Sequence, residues 1–413
     1  MTSRLAFANE EFDGQFSRTL QASAVGAADL GEAYSTAHAI GGKYRPERWY
    51  SQWIARAESV RDAAETAHTA GHLVTAHLAY LRASEYYRQA FFYLRSDLDD
   101  QRLQDAFAAH RTTFGRAMEL LPHTANPIVA ENVSIAYTGI DGRRTDIHAW
   151  LFRLSADVER PRPTIVMPAG YDSTAESGWG FAQGALARRY NVLSVEGPGQ
   201  GASLILDRVY FRPDYESVLG QILDRVVTLP GVDTDRLVAV GRSFAGYLVP
   251  RGVAGESRWA AMVCDPAQPD MGAKIPGGWK ERVAAPLMTL ISKVSRERRE
   301  FFTSRMACHG LDTIADYLDE LKRFTMIDRA AEISCPTLIV ESPNDPVGGQ
   351  GRDLFDALTV DTKELFAPDP ESGVDGHCGG LGQRVWDAVV YDWLDGVLAH
   401  AANRTGSVVG GVR

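Results

Sequence analysis

Trp49, Trp53, Ala57 and Val60, and then Tyr80, Ala83, Tyr87, Ala90 and Leu94, recur at the three- and four-residue spacing of one helix face. The pattern predicts helices over residues 46–121, with the aromatic stripe either as helix–helix core or as the lining of an apolar substrate channel. It breaks at Leu121-Pro-His-Thr-Ala-Asn-Pro127, where proline disfavours helix in the residue before it. A boundary there makes residues 1–125 an all-helical N-terminal domain and 126–413 a second domain. Beyond it the period falls to two. Residues 131–137 and 147–154, joined through Gly139-Ile-Asp-Gly142, read as an antiparallel hairpin. Short apolar runs then alternate with helical stretches as in a parallel sheet: Thr164-Ile-Val-Met167, Leu237-Val-Ala-Val240, Ala260-Ala-Met-Val-Cys264, Cys335-Pro-Thr-Leu-Ile-Val-Glu341 and a weaker Lys363-Glu-Leu-Phe366. The third and fourth of these are about seventy residues apart, too many for a simple crossover. The helical stretches between them, 279–293, 296–308 and 311–324, read as a cap insertion at about 266–332. Within it the sign-alternating Ser295-Arg-Glu-Arg-Arg-Glu300 reads as a solvated helix face. Residues 405–413 read as a frayed tail.

The candidate chemistry begins at Gly241-Arg242-Ser243-Phe244-Ala245-Gly246, directly after an apolar run. Small residues on either side of a serine let the chain turn sharply from strand to helix and lift the hydroxyl clear of the sheet, so Ser243 is the predicted nucleophile. The fifth position of the usual G-x-S-x-G is Ala245 here, and an ordinary serine at a strand-to-helix turn is the alternative. The order along the chain favours catalysis, because this architecture places acid and then histidine after the serine. Asp345 stands in the turn Ser342-Pro-Asn-Asp-Pro346 beyond a strand, and His377 on the glycine-flanked loop Asp375-Gly376-His377-Cys378-Gly379. His377 would serve as general base, with Asp345 holding its tautomer. Asp265, at the end of an earlier strand, is the competing acid or a pocket-shaping carboxylate. For a developing oxyanion the N–H of Phe244 supplies one donor, and the N–H of Tyr171, with Gly170 permitting the turn, the other. A plain glycine turn with an exposed tyrosine is the competing reading of Gly170 and Tyr171.

Composition narrows the class. A formal net charge of −10 without a basic run argues against a nucleic-acid partner. The four cysteines form no C-x-x-C pair, so no disulfide framework or zinc site is indicated, and no metal or cofactor is assigned. The first twenty residues lack a basic start followed by an apolar core, and no window reaches about 18 apolar residues; a cytoplasmic protein with no membrane partner is expected.

Several segments carry a resemblance: Val195-Glu-Gly-Pro-Gly-Gln-Gly201, Gly170-Tyr-Asp-Ser-Thr174, the Gly-Arg-Ser turn, the strand leading to Asp345, Gly376-His-Cys378 and Leu81-Arg-Ala-Ser-Glu-Tyr-Tyr-Arg88. Together they resemble the 2,6-dihydroxypseudooxynicotine hydrolase family, which includes fungal heptaketide-shortening hydrolases. The resemblance implies an α/β-hydrolase fold with a mostly parallel eight-stranded sheet, a helical N-terminal domain that can form a homodimer, and a Ser243-Asp345-His377 triad. It also implies hydrolysis of a C–C bond next to a ketone. The family commonly shows G-R-S-x-G-G, from which Ala245 departs. It also uses, in some members, an auxiliary pocket carboxylate, for which Asp265 is the candidate. C–C cleavage needs a carbanion-stabilising group on the departing side, and ester cleavage does not. An esterase or lactonase, an acyltransferase or cyclase, and a catalytically silent binding module therefore stay open. A peptidase is disfavoured, because about 125 helical residues cannot build the β-propeller that gates such enzymes. The expected substrate is a small, largely apolar, neutral aromatic or polyketide-like molecule.

Overall fold

The structure, a computed structural model, describes residues 4–156, 158–277 and 279–408. A single sheet is built from β1 (Ile128–Thr138), β2 (Arg144–Leu154), β3 (Arg162–Pro168), β4 (Asn191–Val195), β5 (Val232–Arg242), β6 (Trp259–Asp265), β7 (Thr337–Val340) and β8 (Lys363–Phe366). Its order is β1-β2-β4-β3-β5-β6-β7-β8. The β1–β2 hairpin runs in register from Ile128 opposite Leu154 to Thr138 opposite Arg144. β2 is antiparallel to β4, and the remaining neighbours are parallel. The short apolar runs become interior strands because both of their faces are covered: every residue of β4 and β7 is buried. Along β5, Val238 and Val240 enter one core while Leu237 and Ala239 enter the other, the alternation a strand imposes. The chain leaves β3 for β4 on one side and returns to β5 on the other. The crevice at the C-terminal ends of β3 and β5 is thus the switch point where ligands bind in open α/β sheets.

Five helices precede the sheet, Glu10–Ser23, Leu30–Ile40, Pro46–Thr69, Leu73–Phe91 and Gln101–Glu119, and a 3-10 turn at Leu121–His123 leads into β1. The first two lie ahead of the stretch that sequence periodicity marked as helical. Their caps are local: the Asn9 and Asp29 side chains accept from the N–H groups of Phe12 and Glu32. The aromatic stripe is core. Trp49, Trp53 and Tyr86 are fully buried, with ring centroids 5.9 Å apart for Trp49 and Trp53 and 5.4 Å for Trp53 and Tyr86. This core continues without a break into one face of the sheet through Trp150, Phe152, Val238 and Val263, and on to Trp386 and Tyr391 of the last helix, Gln383–Val408. That helix takes in residues 405–408 of the tail expected to fray; 409–413 lie outside the described residues.

Between β6 and β7 the helices Trp279–Val294, Arg296–His309 and Ile314–Leu321 enclose a small core of Met306, Ile314, Tyr317, Leu318 and Leu321. The charge run at 295–300 departs from a purely solvated face. Ser295 caps its helix, Arg296 pairs with Glu47 and, at 2.7 Å, with Glu300, and the Tyr44 hydroxyl donates to Glu300 at 2.6 Å. The insertion is thereby tied to the N-terminal helices, a contact between distant segments that charge alternation does not encode. None of the described helices is long and apolar enough to cross a membrane.

Candidate active site

β5 ends at Arg242, and the helix Ala245–Val253 starts three residues later, so Ser243 occupies the turn with φ +60°. A left-handed backbone at a non-glycine costs on the order of 1–3 kcal/mol unless its surroundings fix it. Three hydrogen bonds do so: Ser243 N–H to the Asp265 carbonyl at 2.8 Å, Gly246 N–H to the Ser243 carbonyl at 2.8 Å, and Gln268 Nε2 to the same carbonyl at 2.7 Å. A Cβ on Gly241 would stand 2.2 Å from the Ala245 carbonyl oxygen, and one on Gly246 would stand 1.8 Å from that of Pro266. The steric demand after the serine falls on Gly246, which is why Ala245 is accommodated, fully buried, where a glycine was expected. Gly246→Ala is therefore expected to lower the thermal midpoint by several degrees or prevent folding, since backbone must move. Melting within about a degree of the unaltered protein would show that the Pro266 carbonyl yields.

Ser243, His377 and Asp345 come together in one hydrogen-bonded path. Ser243 Oγ lies 2.9 Å from His377 Nε2, and His377 Nδ1 lies 2.9 Å from Asp345 Oδ1. Asp345 accepts in addition from the N–H groups of Val347 at 3.0 Å and Cys378 at 2.9 Å. Burial opposes the charge on Asp345, but His377 and these N–H groups more than offset it and hold the carboxyl below its ordinary range. An ionised Asp345 fixes Nδ1 as a protonated nitrogen, so that in the neutral ring it is Nε2 that accepts from the serine hydroxyl. Asp345, His377 and Cys378 also present ligand atoms within 4.8 Å of one another, the one such metal-sized set among the described residues. Both His377 nitrogens already have protein partners in it.

Asp265 is placed differently from the expectation of a pocket carboxylate. It is fully buried, does not line the cavity beside Ser243, and faces Arg242 Nε at 3.3 Å. Burial pushes its carboxyl up to about 6, against the pull of Arg242. Arg242 spans three elements, donating also to the Cys378 carbonyl at 2.6 Å and to Gln383 at 3.1 Å, with its guanidinium 4.9 Å from the Trp386 ring. Its chemistry is invisible in the Gly-Arg-Ser motif, where it is merely the residue before the serine.

Gly170 packs against the serine: a Cβ there would stand 3.1 Å from that of Ser243. Tyr171 is buried, which corrects the exposed alternative; its ring lies 4.7 Å from Phe244, and its hydroxyl is hydrogen-bonded to His309 Nε2 at 2.5 Å. Burial and then Arg305 push His309 down to about 3, so it stays neutral. Neither Phe244 N–H nor Tyr171 N–H has a protein acceptor among the described residues. Further along this loop, Glu176 is nearly inaccessible, 3.0 Å from His148 Nε2 and 3.5 Å from His110 Nε2, while His110 Nε2 contacts Thr174 Oγ1 at 3.0 Å. Burial opposes the Glu176 charge, yet the two histidines outweigh it and keep the carboxyl well below its ordinary range. These partners come from β2 and the helix Gln101–Glu119, too far apart in sequence for a motif to join them.

Ser243 and His377 open on a cavity of about 360 Å³ whose wall includes Arg18, Glu85, Arg88, Asp172 and Glu176. Apolar and aromatic side chains, Leu81, Phe114, Met167, Trp179 and Phe181, share that wall, while Trp49 and Trp53 of the N-terminal stripe lie in the helical core and not on it.

The sheet order and the strand-to-helix turn define an α/β hydrolase. No protein-family model matches the chain. A hydrolase of Fusarium sp, LUC6, is 30% identical over 94% of this chain and 97% of its own length. The 20-hydroxy-prefusarin hydrolase FUS2 of Gibberella moniliformis is 28% identical over 95% and 98%. Among solved structures, 2,6-dihydroxy-pseudo-oxynicotine hydrolase matches with a TM-score of 0.71 at 21% identity, covering 93% of this chain and 95% of that one. The chain belongs to the 2,6-dihydroxypseudooxynicotine hydrolase-like family of α/β hydrolases.

Proposed function

We propose that the chain is a serine hydrolase that cleaves a C–C bond next to a ketone in an aromatic or polyketide-derived small molecule. The observation that supports this best is the unbroken hydrogen-bond path from Asp345 through His377 to Ser243 at the cavity wall. In this reading Ser243 Oγ attacks the ketone carbon while His377 Nε2 takes the hydroxyl proton, and the N–H groups of Phe244 and Tyr171 receive the oxyanion. As the oxyanion collapses, the C–C bond breaks and its electron pair leaves on the departing carbon. A carbonyl or phenol ring spreads that charge, and the imidazolium returns the proton to it. Water, activated by His377, then releases the acid from Ser243. Residues 1–125 serve as the lid over this site. A panel pairing each aryl β-diketone with its matching ester, read by mass spectrometry, tests the bond: diketone cleavage is expected. Ester turnover with no diketone cleavage at any concentration would replace this reading with an esterase.

The base also sets a pH signature. Burial works against a charged His377, but the neighbouring Cys378 sulfur and Asp345 carboxylate outweigh it, raising the imidazole above its ordinary range. Only the neutral ring can take the Ser243 proton, so fluorophosphonate labelling of Ser243 is expected to rise through an alkaline midpoint and then level off. Asp345→Asn removes one contribution that raises the pKa, moving the midpoint down while lowering the plateau. A midpoint at or below about 6.5 in the unaltered protein would contradict the assignment.

A further inference from the structure

The guanidiniums on the cavity wall are not equivalent. Arg88 is engaged by Glu85 at 2.7 and 2.9 Å, and Arg242 is held by Cys378, Gln383 and Asp265. Arg384 is largely exposed, 4.0 Å from Asp387. Arg18, reaching in from the helix Glu10–Ser23, uses one nitrogen: Nη1 donates to Asp172 Oδ1 at 2.9 Å. Its Nε and Nη2 donate to no protein acceptor among the described residues, although the side chain is only 27% exposed. Arg18 lines the same cavity as Ser243 and His377.

The charge around Arg18 is also unbalanced. Asp172 is shared with Arg95, whose Nη2 is 4.0 Å from Oδ2. Arg305, stacked 4.6 Å from the Tyr171 ring, has no carboxylate within 4.0 Å among the described residues and acts on the same Asp172. Arg305 also acts on Glu11, whose carboxyl is pushed by burial towards its neutral form. Three guanidiniums thus converge on one firmly ionised carboxylate, and of the three it is Arg18 that lines the cavity. The unused N–H groups of this half-buried guanidinium are free to meet an anion in the cavity without first giving up a protein contact. A planar guanidinium with free N–H groups suits an oxygen anion.

We infer that Arg18 is the docking point for an anionic oxygen of the substrate, a carboxylate or an ionised enol, carried at a distance from the bond that reacts at Ser243. This deepens the proposed serine-hydrolase reading and rests on it for the location of the reacting bond. It replaces a neutral substrate with an acidic one. Arg18 also gives the N-terminal helices a direct part in choosing the substrate, beyond covering it.

The test is a binding measurement made with Ser243 replaced by alanine, so that no diketone is cleaved during the titration. Calorimetric titration of the full-length protein compares an aryl alkanoate with its primary amide, and an acidic aryl 1,3-diketone with its enol methyl ether. The protein unaltered at position 18 is expected to bind at least one anionic member roughly 10- to 100-fold more tightly than its neutral partner, the range for a charge-assisted contact in a sheltered site. Arg18→Met should erase that preference, and Arg18→Lys should retain part of it. Preference in the first pair alone assigns a carboxylate, and preference in the second assigns an enolate. Equal binding of acid and neutral partner by the protein unaltered at position 18 would overturn the inference. So would an Arg18→Met protein that keeps the preference, or one that loses affinity for acid and neutral ligands alike, which would make Arg18 only a brace for Asp172. Failure of the serine reading shows separately, as absence of fluorophosphonate labelling at Ser243.

Discussion

Ser243→Ala is expected to lower kcat/KM by roughly three to six orders of magnitude while leaving the thermal midpoint almost unchanged. The loss is large because nucleophile and base act as one unit: without Oγ, His377 has no proton to take, and a water in its place lacks the fixed approach to the substrate carbon. The fold should persist because the backbone at residue 243 is held by main-chain bonds to Asp265 and Gly246 and by Gln268, none of which uses the hydroxyl. Steady-state kinetics, covalent labelling and a melting curve on the same preparation check both halves. Near-normal turnover by the purified variant would remove Ser243 from the mechanism.

Removal of residues 1–125 is expected to yield insoluble protein with no detectable labelling of Ser243. The helices are not an appendage, because their apolar residues and those of one sheet face form one core; Phe114 lies 5.1 Å from the Trp150 ring. Cutting there would expose a contiguous apolar face far larger than soluble monomers tolerate. The loop at 170–178 would also lose Arg18 and Arg95 at Asp172 and His110 at Thr174. Soluble expression and labelling measure the outcome, and a soluble, monomeric, fully active fragment would refute it.

The strands other than β4 and the cap helices were legible because each depends on local periodicity: the apolar runs at 164–167, 237–240 and 260–264 fall within β3, β5 and β6. Ser243, Asp345 and His377 could be picked out by type and order, since sharp turns beyond strand ends carry their own glycine and proline punctuation. What stayed hidden depends on distance in space. Arg18 and Asp172 are 154 residues apart, and His148 and Glu176 meet only through the sheet. Ala245 looked like a defect because the motif counts positions, whereas the steric limit belongs to whichever residue faces the Pro266 carbonyl, and that is Gly246. The first two helices fall in the stretch expected to be all-helical, and Phe12, Phe16 and Leu20 give the first of them a four-residue step.

Arg242 couples the geometry of the site to the packing of the chain's last helix. One guanidinium joins the end of β5, the Asp265 carboxylate of β6, the backbone of the histidine loop and the start of the last helix. The His377 loop and the C-terminal helix are thereby tied to the same group at the end of β5. The distance between serine and imidazole is set when the chain folds, and little reorganisation is left for the moment a substrate arrives. A lysine at 242 would keep the charge but could not fork to all three partners, so it would uncouple the assembly of the site from the completion of the fold.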